Sequence, residues 1–147
     1  MLTGLTSSLL LHEHNGDAVV DAQYVDPDAG LYIRNRRGEL VKVSIPIDCL
    51  AFQIGETAQI LSGGLLQATP HAVRASKVAN ISRETFAVFM EPMWDYPMAV
   101  PPGIDPLLAQ SQQAALSLPK GVPPLATRWQ CTQTFGEFTD STLSAYH

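Results

Sequence analysis

Short apolar runs, each closed by turn residues, follow one another as far as Met90 with no long amphipathic helix between them. Residues 1–11 read as one buried strand, and the polar loop after it, residues 12–29, carries Asn15-Gly16 and Asp26-Pro27 as turn signals. Residues 30–34 and 40–45 flank Arg36-Arg37-Gly38-Glu39 and predict a hairpin, with Val41, Val43 and Ile45 on one face and Leu40, Lys42 and Ser44 on the other. Residues 49–54 form a further run, 57–61 a helical turn, Ser62-Gly63-Gly64 a tight turn, and 65–75 and 82–91 two more strand-like stretches. Strands this short and this closely punctuated favour an antiparallel sandwich or barrel over a parallel sheet.

Proline then changes the character of the chain. Eight of the eleven prolines lie beyond Met90, so the sheet ends there, and residues 93–147 read as a Pro-rich linker with a helical extension after a β unit over 1–92. Asp105-Pro106 is a helix start, an N-cap with proline at the first helical position, and predicts a helix over 107–118. A short terminal helix over 139–146 is expected to pack through Leu143 and Tyr146.

With 147 residues, 46% hydrophobic and 16% charged, the chain is large enough for one domain with a core and too apolar to be mostly disordered. The net charge of −5, without any block of like charges, argues against nucleic-acid binding. No apolar run reaches the roughly 18 residues of a membrane span. Residues 1–11 lack the basic start of a signal peptide. Cys49 and Cys131 make neither a disulfide framework nor a zinc spacing, and Cys49 is expected in the core. A soluble, cytoplasmic protein is the expectation.

Three places could carry chemistry. His71, in Thr69-Pro70-His71-Ala72-Val73, is either a structural histidine among apolar neighbours or a ligand. In Ser82-Arg83-Glu84-Thr85-Phe86, strand alternation puts Arg83 and Thr85 on the face shared by Ala87 and Phe89. There a guanidinium fork and a hydroxyl could hold a carboxylate, the alternative being a solvated arginine on an edge strand. The third, His12-Glu13-His14-Asn15-Gly16-Asp17, has the composition of a metal cluster but sits in a polar loop without a rigid element to fix it.

The order of these pieces resembles the C-terminal half of the Fe(II)- and 2-oxoglutarate-dependent oxygenases, the isopenicillin N synthase-like group, and within it a plant and algal branch. The resemblance runs from Leu2 to about Glu91 and is carried by DPDAGLYIR, VKVSIP, DCLAFQIGE, SGGLLQATPHAVRA and SRETFAVFMEPMWD, with twelve residues from His71 to Arg83. It implies a mainly β fold, a partial double-stranded β-helix (jelly roll) with a Pro-rich, partly helical tail. It further implies that His71 is the distal histidine ligand of Fe(II). Arg83 would pair with the far carboxylate of 2-oxoglutarate, and Thr85, where the family usually has serine, would support it. Ala72 replaces an arginine frequent in the family, next to the metal ligand rather than on it.

The family's His-x-Asp pair precedes a strand like LTGLT, which here begins at Leu2, so the resemblance implies that the pair and the opening strands fall upstream of Met1. The expectation is the C-terminal part of an oxygenase, inactive alone, whose open sheet edges invite self-association. His12, His14 or Asp17 could stand in for the missing ligands, since His14 lies 57 residues before His71, but the LTGLT strand already aligns ahead of them. The small-molecule substrate is not specified, although Trp94, Tyr96 and Trp129 could line its pocket or, more simply, pack against the sheet. The alternative function is a non-catalytic sandwich module binding a small carboxylate or a protein partner.

Overall fold

The computed structural model describes residues 2–12, 15, 17, 26–114 and 121–146, and its strands are all short and antiparallel. In one sheet β1 (Leu2–Leu5) lies between β5 (Ala51–Ile54) and β8 (Ala87–Met90). In a second, β3 (Gly30–Arg34) lies between β4 (Leu40–Lys42) and β6 (His71–Arg74). A two-stranded ladder joins β2 (Leu9–His12) to β7 (Ile81–Glu84). The chain is therefore mainly β, as the rhythm of apolar runs implies.

Two of the expected strands are each broken in the middle. Residues 1–11 form β1 and β2 with Thr6–Ser8 between them, and 82–91 form β7 and β8 with Thr85-Phe86 between them. The two gaps face each other. The Phe86 carbonyl accepts the Thr6 amide at 3.1 Å, and the Thr6 hydroxyl accepts the Phe86 amide at 3.2 Å. A side chain has taken a place in the ladder, so both strands bend at one point instead of running straight. Neither β1 nor β2 is fully buried, which corrects the buried-strand reading.

Residues 65–70 are not strand. Two of their amides go to side chains of the preceding helix, α1 (Glu56–Leu61), and of its C-cap: the Ser62 hydroxyl accepts the Leu66 amide at 3.0 Å and Gln59 Oε1 accepts the Ala68 amide at 2.8 Å, while the Leu65 and Thr69 amides donate to the Ser62 and Ile54 carbonyls. Pro70 has no amide to give. The tight turn falls where expected, with Gly63 and Gly64 at φ +63° and +85°. Gly64 is required for a second reason, because a Cβ there would sit 2.8 Å from the Leu108 carbonyl oxygen.

Beyond the sheets, α2 (Pro106–Ala114) starts at the expected cap, Asp105 Oδ1 accepting the Leu107 amide at 2.9 Å. The predicted stretch 115–118 lies outside the described residues. The last helix, α3 (Phe135–Ala145), begins four residues earlier than expected, because Thr134 and Glu137 form a reciprocal capping box. It packs through Phe135 and Phe138, which are buried, whereas Leu143 and Tyr146 are 57% and 53% exposed.

Every fully buried apolar side chain among the described residues lies outside the strands. Ile60 of α1, Met98, Ala109 of α2, Leu125, Trp129, Phe135 and Phe138 form one cluster, and Trp129 Nε1 donates to the Met98 carbonyl at 2.8 Å. Trp129 thus packs in this cluster and not on the sheet. Trp94 and Tyr96 are exposed, Trp94 resting edge-on against Phe135. Cys49 is exposed as well, just before β5, so it is not a core residue. No helix among the described residues is long and apolar enough to cross a membrane.

Candidate functional site

A cavity of about 450 Å³ opens between the two larger sheets. Thr3 and Leu5 of β1, Gln53 of β5 and Ala87 and Phe89 of β8 line it from one side, Leu31 of β3 and His71 and Val73 of β6 from the other. Arg83 and Thr85 reach it as well. Alternation along 83–89 therefore survives the break between β7 and β8, and Arg83, Thr85, Ala87 and Phe89 share the inner face as their spacing implies. The structure thus brings the three expected residues, His71, Arg83 and Thr85, to one cavity.

His71 stands at the first position of β6, opposite Ile33, and is exposed where it meets the cavity. Its Nδ1 lies 3.1 Å from the Thr69 carbonyl oxygen, a contact that needs a proton on Nδ1, whereas the Gln53 amide nitrogen, which also touches Nδ1, needs a lone pair there, so the two contacts place the ring without fixing its tautomer. Sequence reasoning missed Gln53. Its only signal is phase, two residues before Gly55 on the inward face of β5.

Arg83 and Thr85 are unusual in what they lack. Arg83 Nε and Thr85 Oγ1 are buried and without a hydrogen-bond partner among the described residues, a deficiency shared only with Arg34 Nε in the β3–β4 hairpin. Buried donors are normally satisfied, and each one left open costs on the order of 1–3 kcal/mol. Burial pulls the Arg83 guanidinium below its ordinary value, which still leaves it cationic at any physiological pH. A half-buried cation whose Nε is dry and unpaired is suited to an anion.

Among the described residues, His71 is the one nitrogen, sulfur or carboxylate side chain of metal-binding type that lines this cavity. No three His, Cys, Asp or Glu side chains come together among the described residues. Of the loop with the composition of a metal cluster, Glu13 and His14 lie outside the described residues. His12 belongs to β2, opposite Ile81, and Asp17 Oδ2 accepts from Asn15 at 2.6 Å. The His12 amide donates to the Asp17 carbonyl at 2.8 Å, and neither residue lines the cavity that His71 reaches.

Compared with family models, with curated proteins and with solved structures, the chain matches none.

Proposed function

We propose that the cavity between the sheets binds 2-oxoglutarate by its far carboxylate, and that this chain is the C-terminal portion of an Fe(II)- and 2-oxoglutarate-dependent oxygenase. One observation carries the reading: two buried donors without partners, Arg83 Nε and Thr85 Oγ1, line the same cavity as His71. A carboxylate is the group that satisfies both, accepting two bonds from the guanidinium fork and one from the hydroxyl. The path of the chain supports it as well. Apart from the β2–β7 ladder, the strands alternate between the two larger sheets, from the first (β1) to the second (β3, β4), back to the first (β5), to the second (β6) and to the first again (β8), an alternation that a jelly roll also has.

The two groups implied by the resemblance fit unequally. The described residues suit the carboxylate of 2-oxoglutarate. For Fe(II) they offer His71 alone, so this chain's described residues do not hold the metal by themselves and no step is routed through it. What these residues do is bind and orient. Arg83 and Thr85 fix one end of the acid, Leu31, Val73 and Ala87 exclude water from its methylene groups, and Thr69 and Gln53 hold the His71 ring.

Calorimetric titration with 2-oxoglutarate tests the reading. Saturable binding is expected, weakened about a hundredfold in Arg83→Gln and about tenfold in Thr85→Val. Equal affinity in all three proteins removes the assignment. The second reading, a carboxylate-binding module without catalysis, is favoured by the single metal-type ligand in the cavity. Glutarate separates the two in the longer protein that the oxygenase reading implies: there Fe(II) raises the affinity for 2-oxoglutarate and not for glutarate, whereas a module binds both acids alike with or without Fe(II).

A further inference from the structure

Arg83 lines a second, smaller cavity of about 200 Å³. Its polar lining is Ser7 and Ser8 at the bend between β1 and β2, Asp26, Lys42 and Ser44. The side-chain hydroxyls of Ser7, Ser8 and Ser44 have no hydrogen-bond partner among the described residues. Lys42 crosses Gly30, whose missing Cβ would lie 3.2 Å from Lys42 Cε, and its ammonium is held by the Pro27 carbonyl, which uses one of three donors. Asp26 is the one acid among the described lining residues, and its carboxylate is already engaged. Oδ1 accepts the Asp28 amide at 3.1 Å and Oδ2 the Lys77 amide at 2.8 Å. The cavity thus presents two cations, one anion facing backbone amides, and three open hydroxyls.

We infer that this second cavity is a binding site for a small oxyanion of the phosphate or carboxylate type, held by Lys42, Ser7, Ser8 and Arg83, and that it shares Arg83, with Leu31 and Ile45, with the lining of the larger cavity. Such a site regulates its neighbour. Two anions on either side of one guanidinium repel each other and divide its donors, so an oxyanion here weakens carboxylate binding in the larger cavity. The coupling rests on the co-substrate reading above; the anion site itself does not.

Inorganic phosphate is the probe, titrated into the whole chain and followed by ³¹P line broadening and calorimetry. Binding is expected to weaken about tenfold in Lys42→Met, severalfold in Ser8→Ala, and not at all in Thr85→Val, which touches only the larger cavity. Ser8→Ala removes a hydroxyl and no backbone contact, so it decides the matter if Lys42→Met loosens the Pro27 turn. No saturable phosphate binding, or equal binding in both variants, overturns the site. At saturating phosphate, 2-oxoglutarate should bind severalfold more weakly, and unchanged affinity overturns the coupling. Phosphate binding that follows this pattern in a chain that ignores 2-oxoglutarate removes the co-substrate reading and leaves the anion site standing.

Discussion

Arg128 shows how much a single residue can organise in this chain. Its side chain is 1% exposed, and its fork is bidentate to Glu56 at 2.8 and 2.6 Å. A third bond runs to the Thr142 hydroxyl at 3.0 Å, a fourth from Nε to the Pro123 carbonyl at 3.2 Å, and the guanidinium lies over the Phe138 ring. One cation thereby ties α1 to the last third of the molecule. Removing the acid leaves a buried charge without its counter-ion, so Glu56→Ala should cost about 3 kcal/mol in urea denaturation. Arg128→Lys should not restore the wild-type value, because an ammonium cannot span both carboxylate oxygens. Asp26 makes a pH-dependent contribution of the opposite kind. The Lys77 amide, then the Asp28 amide and the Arg74 charge, hold its carboxyl below the ordinary value against the opposing effect of burial. A depressed folded value means stability that is present above the ordinary carboxylate range and lost as pH falls through the folded value. The melting temperature should therefore drop more steeply below about pH 4 in the wild type than in Asp26→Asn, and parallel curves would show that the contacts contribute nothing.

At the scale of elements, what could be read from the sequence was local. The Asp105-Pro106 cap, the Gly63-Gly64 turn and the shared face of Arg83, Thr85, Ala87 and Phe89 each depend on residues within a few positions of one another. So does the capping box of Thr134 and Glu137, which sets the start of α3 four residues ahead of the run carrying Leu143 and Tyr146. The breaks at Thr6–Ser8 and Thr85-Phe86 were not legible, since each exists only because the other stands opposite it, eighty residues away. The Arg128–Glu56 pair, spanning 72 residues, is hidden for the same reason. The Gly64 turn offers a sharp test of element packing. A Cβ there would press on backbone of α2 and would also have to adopt φ +85°. Gly64→Ala should cost about 2 kcal/mol or more, read from the denaturation midpoint, while Gly38→Ala, also at positive φ but in open space, should cost about 1 kcal/mol.

At the scale of the whole molecule, burial is divided unevenly. The fully buried apolar side chains lie in α1, α2, α3 and the segments beside them, whereas the strands are half-buried or, in β4 and most of β6 and β8, exposed, with Val73 and Phe89 exposed even where they face the cavity. The outer face of the β5-β1-β8 sheet leaves Phe52 62% exposed, with Val88 and Met90 open beside it. Local stability follows burial, so amides of β6, β7 and β8 should exchange with solvent faster than those of α3, although both are hydrogen-bonded. A ligand that binds only the folded sheets adds its binding energy to the stability of the strands that line its cavity. Adding 2-oxoglutarate should then slow exchange in β1, β3, β5, β6, β7 and β8 and leave α3 unchanged, with the effect absent in Arg83→Gln. Protection spread evenly over strands and α3 would mean that the ligand stabilises the chain as one cooperative unit. Protection confined to α3 would place its site outside the cavity. The proposed arrangement requires the first pattern, because Arg83, Thr85 and His71 belong to the strands and their junction, while the buried cluster contributes none of the cavity's lining.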